Sequence, residues 1–209
     1  VVEVLASISS KVASDVDYAK DTLRFIAKLN PDVQIHIVSD LNNIQDKVIR
    51  AGLVDGGFYV PEQNTSYIYS KSNTWEGSLL ELINHELVHT VTEKSITEGH
   101  ISQENLSKLN DIKDIIDNYR IDNYLDLSEN VVDRLDYASS TNFPHELLSV
   151  SISESSIRNV LIDALGTDGL QQLDAVFADI STKQAKQNEH GKQNGNSSRN
   201  EKSKNSNAQ

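Results

Sequence analysis

The sequence predicts an α+β fold, with a small antiparallel or mixed sheet in its first half and a mostly helical C-terminal half. Three observations carry this expectation. Val33 to Val38 alternates apolar and polar residues, the period-2 pattern of a half-buried strand. Two runs rich in aromatic and β-branched residues, 56–60 and 65–70, flank the turn residues Pro61-Glu62-Gln63-Asn64 and read as a hairpin. From residue 79 onward, apolar residues recur every three or four positions, the spacing of helices that bury one face.

Taken in order, Asp17 to Leu29 is expected as a helix with Leu23, Ile26 and Ala27 on its buried side, stopped by Asn30-Pro31. The strand 33–38 follows, with His36 on its polar side. Asn42 to Gly52 reads as a short helix with a glycine stop. After the hairpin, the polar loop from Lys71 to Thr74 leads through Trp75 to an apolar helix that includes the run Leu79-Leu80-Glu81-Leu82-Ile83. Ser102 is placed to cap a long helix with the stripe Leu106, Leu109, Ile112, Ile116 and Tyr119. Shorter helices follow at Val131–Ala138 and after Pro144, a residue suited to a first turn. A helix through Ile157 and Leu161 should stop at Gly166, and Asp168 should cap the last one.

The chain has 209 residues, enough for one domain with a sizeable core. The domain is expected over residues 1–182. From 183 to 209 the composition is dominated by Gln, Asn, Ser, Lys and Gly, with no apolar residue larger than Ala. Such a tract buries too little to offset its ordering entropy and is expected as a disordered tail or linker. The formal charge is −12. The tail holds six Lys or Arg and two Glu, so the body before it carries 13 basic against 29 acidic side chains, a net of −16. That surface argues against nucleic acid as a partner. No run approaches the ~18 apolar residues of a membrane span, so no membrane association is expected. No cationic, apolar signal peptide is read at the start of the sequence, so a soluble protein is expected and its compartment is not readable. Met is absent even from position 1, which leads us to expect a processed product or a segment of a larger polypeptide. The absence of Cys removes disulfides and thiolate metal ligands.

The chemistry is concentrated at His85-Glu86-Leu87-Val88-His89, an HExxH motif on the expected apolar helix. Residues four apart on a helix share a face, so both imidazoles can reach one metal ion. Glu86, beside the first His, can act as a general base toward a water at that metal. This is the metal-binding pattern of zinc hydrolases, most often metallopeptidases. The flanking Leu82, Ile83, Thr90 and Val91 supply the apolar packing that a core helix requires.

Zinc in catalytic sites takes three protein ligands. The longer pattern HExxHxxGxxH is excluded, because Thr92 and Ser95 stand at its Gly and third-His positions. His100 is one candidate third ligand, and Glu98 a weaker form of the same idea. Glu93, a turn beyond His89 on the same helix, would overshoot. Glu146 lies in Phe143-Pro144-His145-Glu146-Leu147-Leu148, where a carboxylate among apolar neighbours is costly unless paired or coordinated. His145 is its neighbour and a further candidate. Tyr119, Tyr124 and Tyr137 are candidate donors to an oxyanion, with no basis for choosing among them. The strand 65–70 is a candidate edge for an extended peptide, with Tyr67 and Tyr69 lining a cleft or simply covering the sheet.

The succession of a strand, a Gly-Phe-Tyr…Tyr-Ile-Tyr hairpin, a His85-Glu86-Leu87-Val88-His89-Thr90 helix and a distant Glu-Leu-Leu helix resembles the gluzincin-type zincins. It is most similar to the zincin-like metallopeptidase domains embedded in large polyvalent proteins of phages and mobile elements. The resemblance covers roughly residues 33–165. It implies a zincin-like fold in which the motif helix is the active-site helix. It also implies zinc as cofactor, His85, His89 and Glu146 as ligands, Glu86 as the catalytic base, and a peptide or protein as substrate. A hairpin strand would lie along the cleft, and a bacterial cytoplasm or a virion would be the setting. The competing reading is a non-enzymatic structural or binding module of such a polyprotein with a vestigial zinc site. A third is a zinc hydrolase, not a peptidase, acting on another substrate. The intact Glu86 favours an active protease, since a structural site has no use for a base.

Overall fold

In the computed structural model, residues 13–72, 78–97, 99–140 and 143–204 are described. Trp75, Glu98 and residues 1–12 of the expected domain lie outside the described residues. The described chain is α+β, with seven α-helices and one three-stranded sheet. The order is α1 (Ala13–Leu29), β1 (Gln34–Val38), α2 (Lys47–Gly52), β2 (Gly57–Val60), β3 (Thr65–Tyr69), α3 (Leu79–Thr97), α4 (Gln103–Asp122), α5 (Glu129–Ser139), α6 (His145–Ser153) and α7 (Ser155–Lys204). No helix among these is long and apolar enough to cross a membrane.

The sheet order is β1-β3-β2. β1 runs parallel to β3 with Gln34 opposite Thr65, and β2 runs antiparallel to β3 with Gly57 opposite Ile68. This corrects the expectation that residues 65–70 form an edge. β3 is the central strand, with both sides of its backbone taken, and the edges are β1 and β2. A hairpin pattern in sequence does not show which of its strands a third will join, because β1 arrives through a crossover from a distant segment. Side chains alternate across the sheet. Ile68 joins the main core beneath α3, while Tyr67 and Tyr69 pack with Phe58, Val60 and the buried Val38, Ile49 and Leu53 in a smaller cluster on the opposite face. The two tyrosines therefore cover the sheet.

Helix α3 is the centre of the molecule. It packs against α1, α6, α7, β2 and β3. Its seven residues from Leu82 to Val88 are all buried, as expected of a helix without a solvent face. Its start is fixed by a capping box: the Glu81 N–H donates to Ser78 Oγ, and the Ser78 N–H donates to Glu81 Oε2 at 2.8 Å. The other Glu81 oxygen accepts from the Ser155 backbone N–H and hydroxyl, which ties the start of α3 to the start of α7. Helix α4 starts at Ser102, whose hydroxyl accepts from the Asn105 N–H, as the sequence suggests. Helix α6 is buried from Glu146 to Ser153. Gly166, at φ 68, breaks α7 where the sequence places a stop, and Asp168 lies beyond that break. The second part of α7 continues to Lys204, so most of the polar tract expected to be disordered is helical here. Gln, Lys and Ala have good helix propensity, so the tract can continue a helix already nucleated by the packed residues before it.

Candidate metal centre

Two buried helices build the site. His85 and His89 lie one turn apart on α3, and Glu146 comes from the first turn of α6. One ligand atom from each of the three lies within 4.8 Å of the others, a group that could hold a metal ion. His85 Nε2 is 3.2 Å from Glu146 Oε2, His89 Nε2 is 3.2 Å from Glu146 Oε1, and the two Nε2 atoms are 3.2 Å apart. His85 is 4 % exposed and Glu146 6 %, so the donor set is enclosed by protein rather than open surface charge.

The helices meet closely because α6 presents serines to α3. Glu146, Ser149 and Ser153 recur at helical spacing on one face. Ser149 Oγ donates to the His85 carbonyl at 2.8 Å, and Ser153 Oγ lies 3.4 Å from His85 Nδ1. Small side chains let the backbones approach, and these hydroxyls find partners, as buried polar groups must.

The second nitrogen of His85 is also engaged. Nδ1 lies 3.4 Å from Glu154 Oε1. Glu154 caps the end of α6 in an extended conformation (φ −107, ψ 108), which leaves the helical path at the junction with α7. Arg134 from α5 grips the same carboxylate through two nitrogens, Nε at 3.2 Å and Nη2. A carboxylate on Nδ1 favours a proton there, so that the neutral ring carries its lone pair on Nε2, the arrangement that orients a metal-ligating imidazole.

The electrostatics follow from this crowding. Burial opposes the imidazolium at His85, but Glu146 outweighs it, aided by Glu154 and Glu86, and the pKa is pushed up to about 9. Burial also opposes the Glu146 carboxylate, yet His85 and His89 hold it well below the usual carboxylate range. Glu154 is lowered against burial by His85 and Arg134. Glu86 goes the other way: burial raises it, and the two imidazoles only partly offset that. Glu86 is 6 % exposed and sits beside His85 on the helix. A buried carboxylate raised beside two imidazoles is the kind of perturbed group that marks a candidate functional site.

The other candidates fall elsewhere. His100 is outside the group. Gly99, at φ 72, turns the chain after α3, and the His100 N–H bonds the Ser95 carbonyl. Eight residues of helix separate His89 from Thr97, about 12 Å at 1.5 Å per residue, which puts His100 beyond reach. Glu93 is raised by burial and feels His89, Glu62 and Glu146, but it is not in the donor group. His145 adjoins Glu146 without joining the group; burial first, and then His89, lower it to about 4. Tyr124 is 61 % exposed at the end of α4, and Tyr137 lies against Arg134. The acidic run of α4 is a solvated face: Asp111, Asp114 and Asp122 are exposed, and Asp117 pairs with Lys113.

Two residues at the site escape sequence reasoning. Glu154 and Arg134 each reach it through a contact made in space. The one available signal was the polar spacing of Glu146, Ser149 and Ser153 in an otherwise apolar helix, which marks a buried face that meets polar groups. No protein-family model, curated protein or solved structure matches this chain.

The donor group could hold a metal ion. Glu146 Oε2 is buried and, despite its nearness to His85 Nε2, has no hydrogen bond of acceptable geometry. That orphaned oxygen, with two imidazole nitrogens and the other carboxylate oxygen gathered around it, is a polar atom that a bound cation would satisfy.

Proposed function

We propose that this chain is a zinc-dependent metallopeptidase domain of the zincin-like, gluzincin type. The observation that carries the reading is the convergence of His85, His89 and Glu146 with Glu86 adjacent on the same helix. Two imidazoles and one carboxylate form a donor set suited to zinc. A zinc ion held there would supply Lewis acidity toward a water and a scissile carbonyl. His85, His89 and Glu146 would hold the ion, with Glu154 and Arg134 keeping His85 in the correct tautomer. Glu86 takes the proton from the attacking water and delivers it to the leaving amine nitrogen.

A peptide substrate is favoured by the edge strand β2. Gly57 and Tyr59 alternate with Phe58 and Val60, which face the small cluster, so the first pair faces α3. Among the described residues, β2 pairs only with β3, leaving one side of its backbone for an extended chain. An edge for an extended peptide is therefore proposed on β2 and not on residues 65–70, whose strand is central.

The test is cleavage of an unstructured protein substrate by the zinc-loaded chain, with Glu86→Gln beside it. The reading expects Glu86→Gln to keep its zinc and lose about 100-fold or more in kcat, the scale of general-base catalysis. Equal activity in the two proteins would reject it.

A further inference from the structure

We propose that Gly57 is a positioning residue for Glu86: the bare backbone of β2 at this point is the wall that sets the carboxylate, and only a residue without a Cβ leaves room for it. The proposal rests on the reading of Glu86 as the base.

The geometry is direct. Gly57 opens β2 and faces α3. A Cβ built on it would overlap Cγ, Cδ and Oε1 of Glu86, so the carboxylate and the last carbon before it both lie against the strand. The backbone does not demand glycine here. Gly56, its neighbour, is at φ 115 and needs glycine for its conformation, whereas Gly57 has no such positive φ. The two adjacent glycines therefore serve different ends, one conformational and one steric. Glu86 is buried, so a carboxylate pushed off the strand must be re-accommodated inside the protein rather than in solvent. Displacing it moves the carboxylate relative to the two imidazoles. A misplacement of about 1 Å in a reacting group can cost about 100-fold in rate.

The experiment compares wild type, Gly57→Ala, Glu86→Ala and the double variant. Zinc content, kcat and KM are measured on the loaded proteins, and thermal midpoints on chelator-treated ones. Gly57→Ala is expected to keep about one zinc per chain and a KM within about twofold, while kcat falls about 100-fold. In the chelated proteins, Gly57→Ala should lower the midpoint when Glu86 is present and change it little when Glu86 is alanine. Full kcat in Gly57→Ala overturns the proposal, and so does an equal loss of midpoint in both backgrounds. If wild type cleaves nothing, the peptidase reading falls, and the thermal cycle still decides whether Gly57 holds Glu86. If Gly57→Ala does not fold, the double variant must; its failure to fold would also overturn the proposal.

Discussion

His85 Nε2 and Glu146 Oε2 stand 3.2 Å apart across the interface of α3 and α6, and the other Glu146 oxygen stands 3.2 Å from His89. One carboxylate therefore addresses both imidazoles of the motif helix. The packing of α6 on α3 is what makes the site, and each prediction below disturbs one part of that arrangement.

Removing a donor should remove the metal. His85→Ala and Glu146→Ala are expected to lower zinc affinity by more than the 10- to 100-fold typical of a supporting residue. Competition against a chelator of known affinity measures this directly. His100→Ala is expected to leave the affinity unchanged, because His100 lies beyond the end of α3.

Loosening the support should weaken the metal without abolishing it. Glu154→Ala removes the carboxylate beside His85 Nδ1, so zinc affinity should fall about 10- to 100-fold. The same chelator competition reads the effect. An unchanged affinity would mean that Glu154 does not orient the ring.

Metal binding should be coupled to a proton at His85. In the metal-free protein its pKa stands at about 9, and ligation needs the neutral ring. Binding between about pH 6.5 and 9 must therefore expel that proton, so affinity should rise about tenfold per pH unit and level off above 9. The stability of the metal-free protein should run the opposite way. A raised His85 pKa contributes stability that is complete below 6.5 and lost as pH rises through about 9. Glu86, raised by burial, works in the same direction, since its buried carboxyl loses its proton as pH rises. Calorimetry in buffers of different ionisation enthalpy counts the expelled proton, and thermal midpoints across pH 6 to 10 test the second trend.

The core under the site should be sensitive to volume. Leu147, adjacent to Glu146, is fully buried in the main cluster. Leu147→Ala should cost about 2–5 kcal/mol by chemical denaturation, from lost burial and the cavity left behind. Zinc should then become a larger share of the remaining stability, visible as a larger rise in midpoint on metal addition.

Much of this was legible in the sequence because local patterns caused it. The HExxH spacing fixed which α3 side chains share a face, and the apolar residues around Glu146 marked a carboxylate that needed a partner. The Ser102 cap and the Gly166 break are likewise set by neighbouring residues. What was not legible depends on segments distant in sequence. β3 became a central strand because β1 crosses to its free side, and neither run of residues announces that. Glu154 reaches His85 only because α6 ends in an extended residue that turns its side chain back toward α3. Gly57 has its importance through a contact with Glu86 that no one-dimensional pattern encodes.

The most direct test of the central claim is the zinc content of the purified full chain, measured by elemental analysis after exposure to excess zinc and removal of the unbound ion. The account predicts about one zinc per chain in wild type and in Glu86→Gln, and far less in Glu146→Ala. A wild type that retains no zinc, or a Glu146→Ala protein that retains as much as wild type, would contradict it.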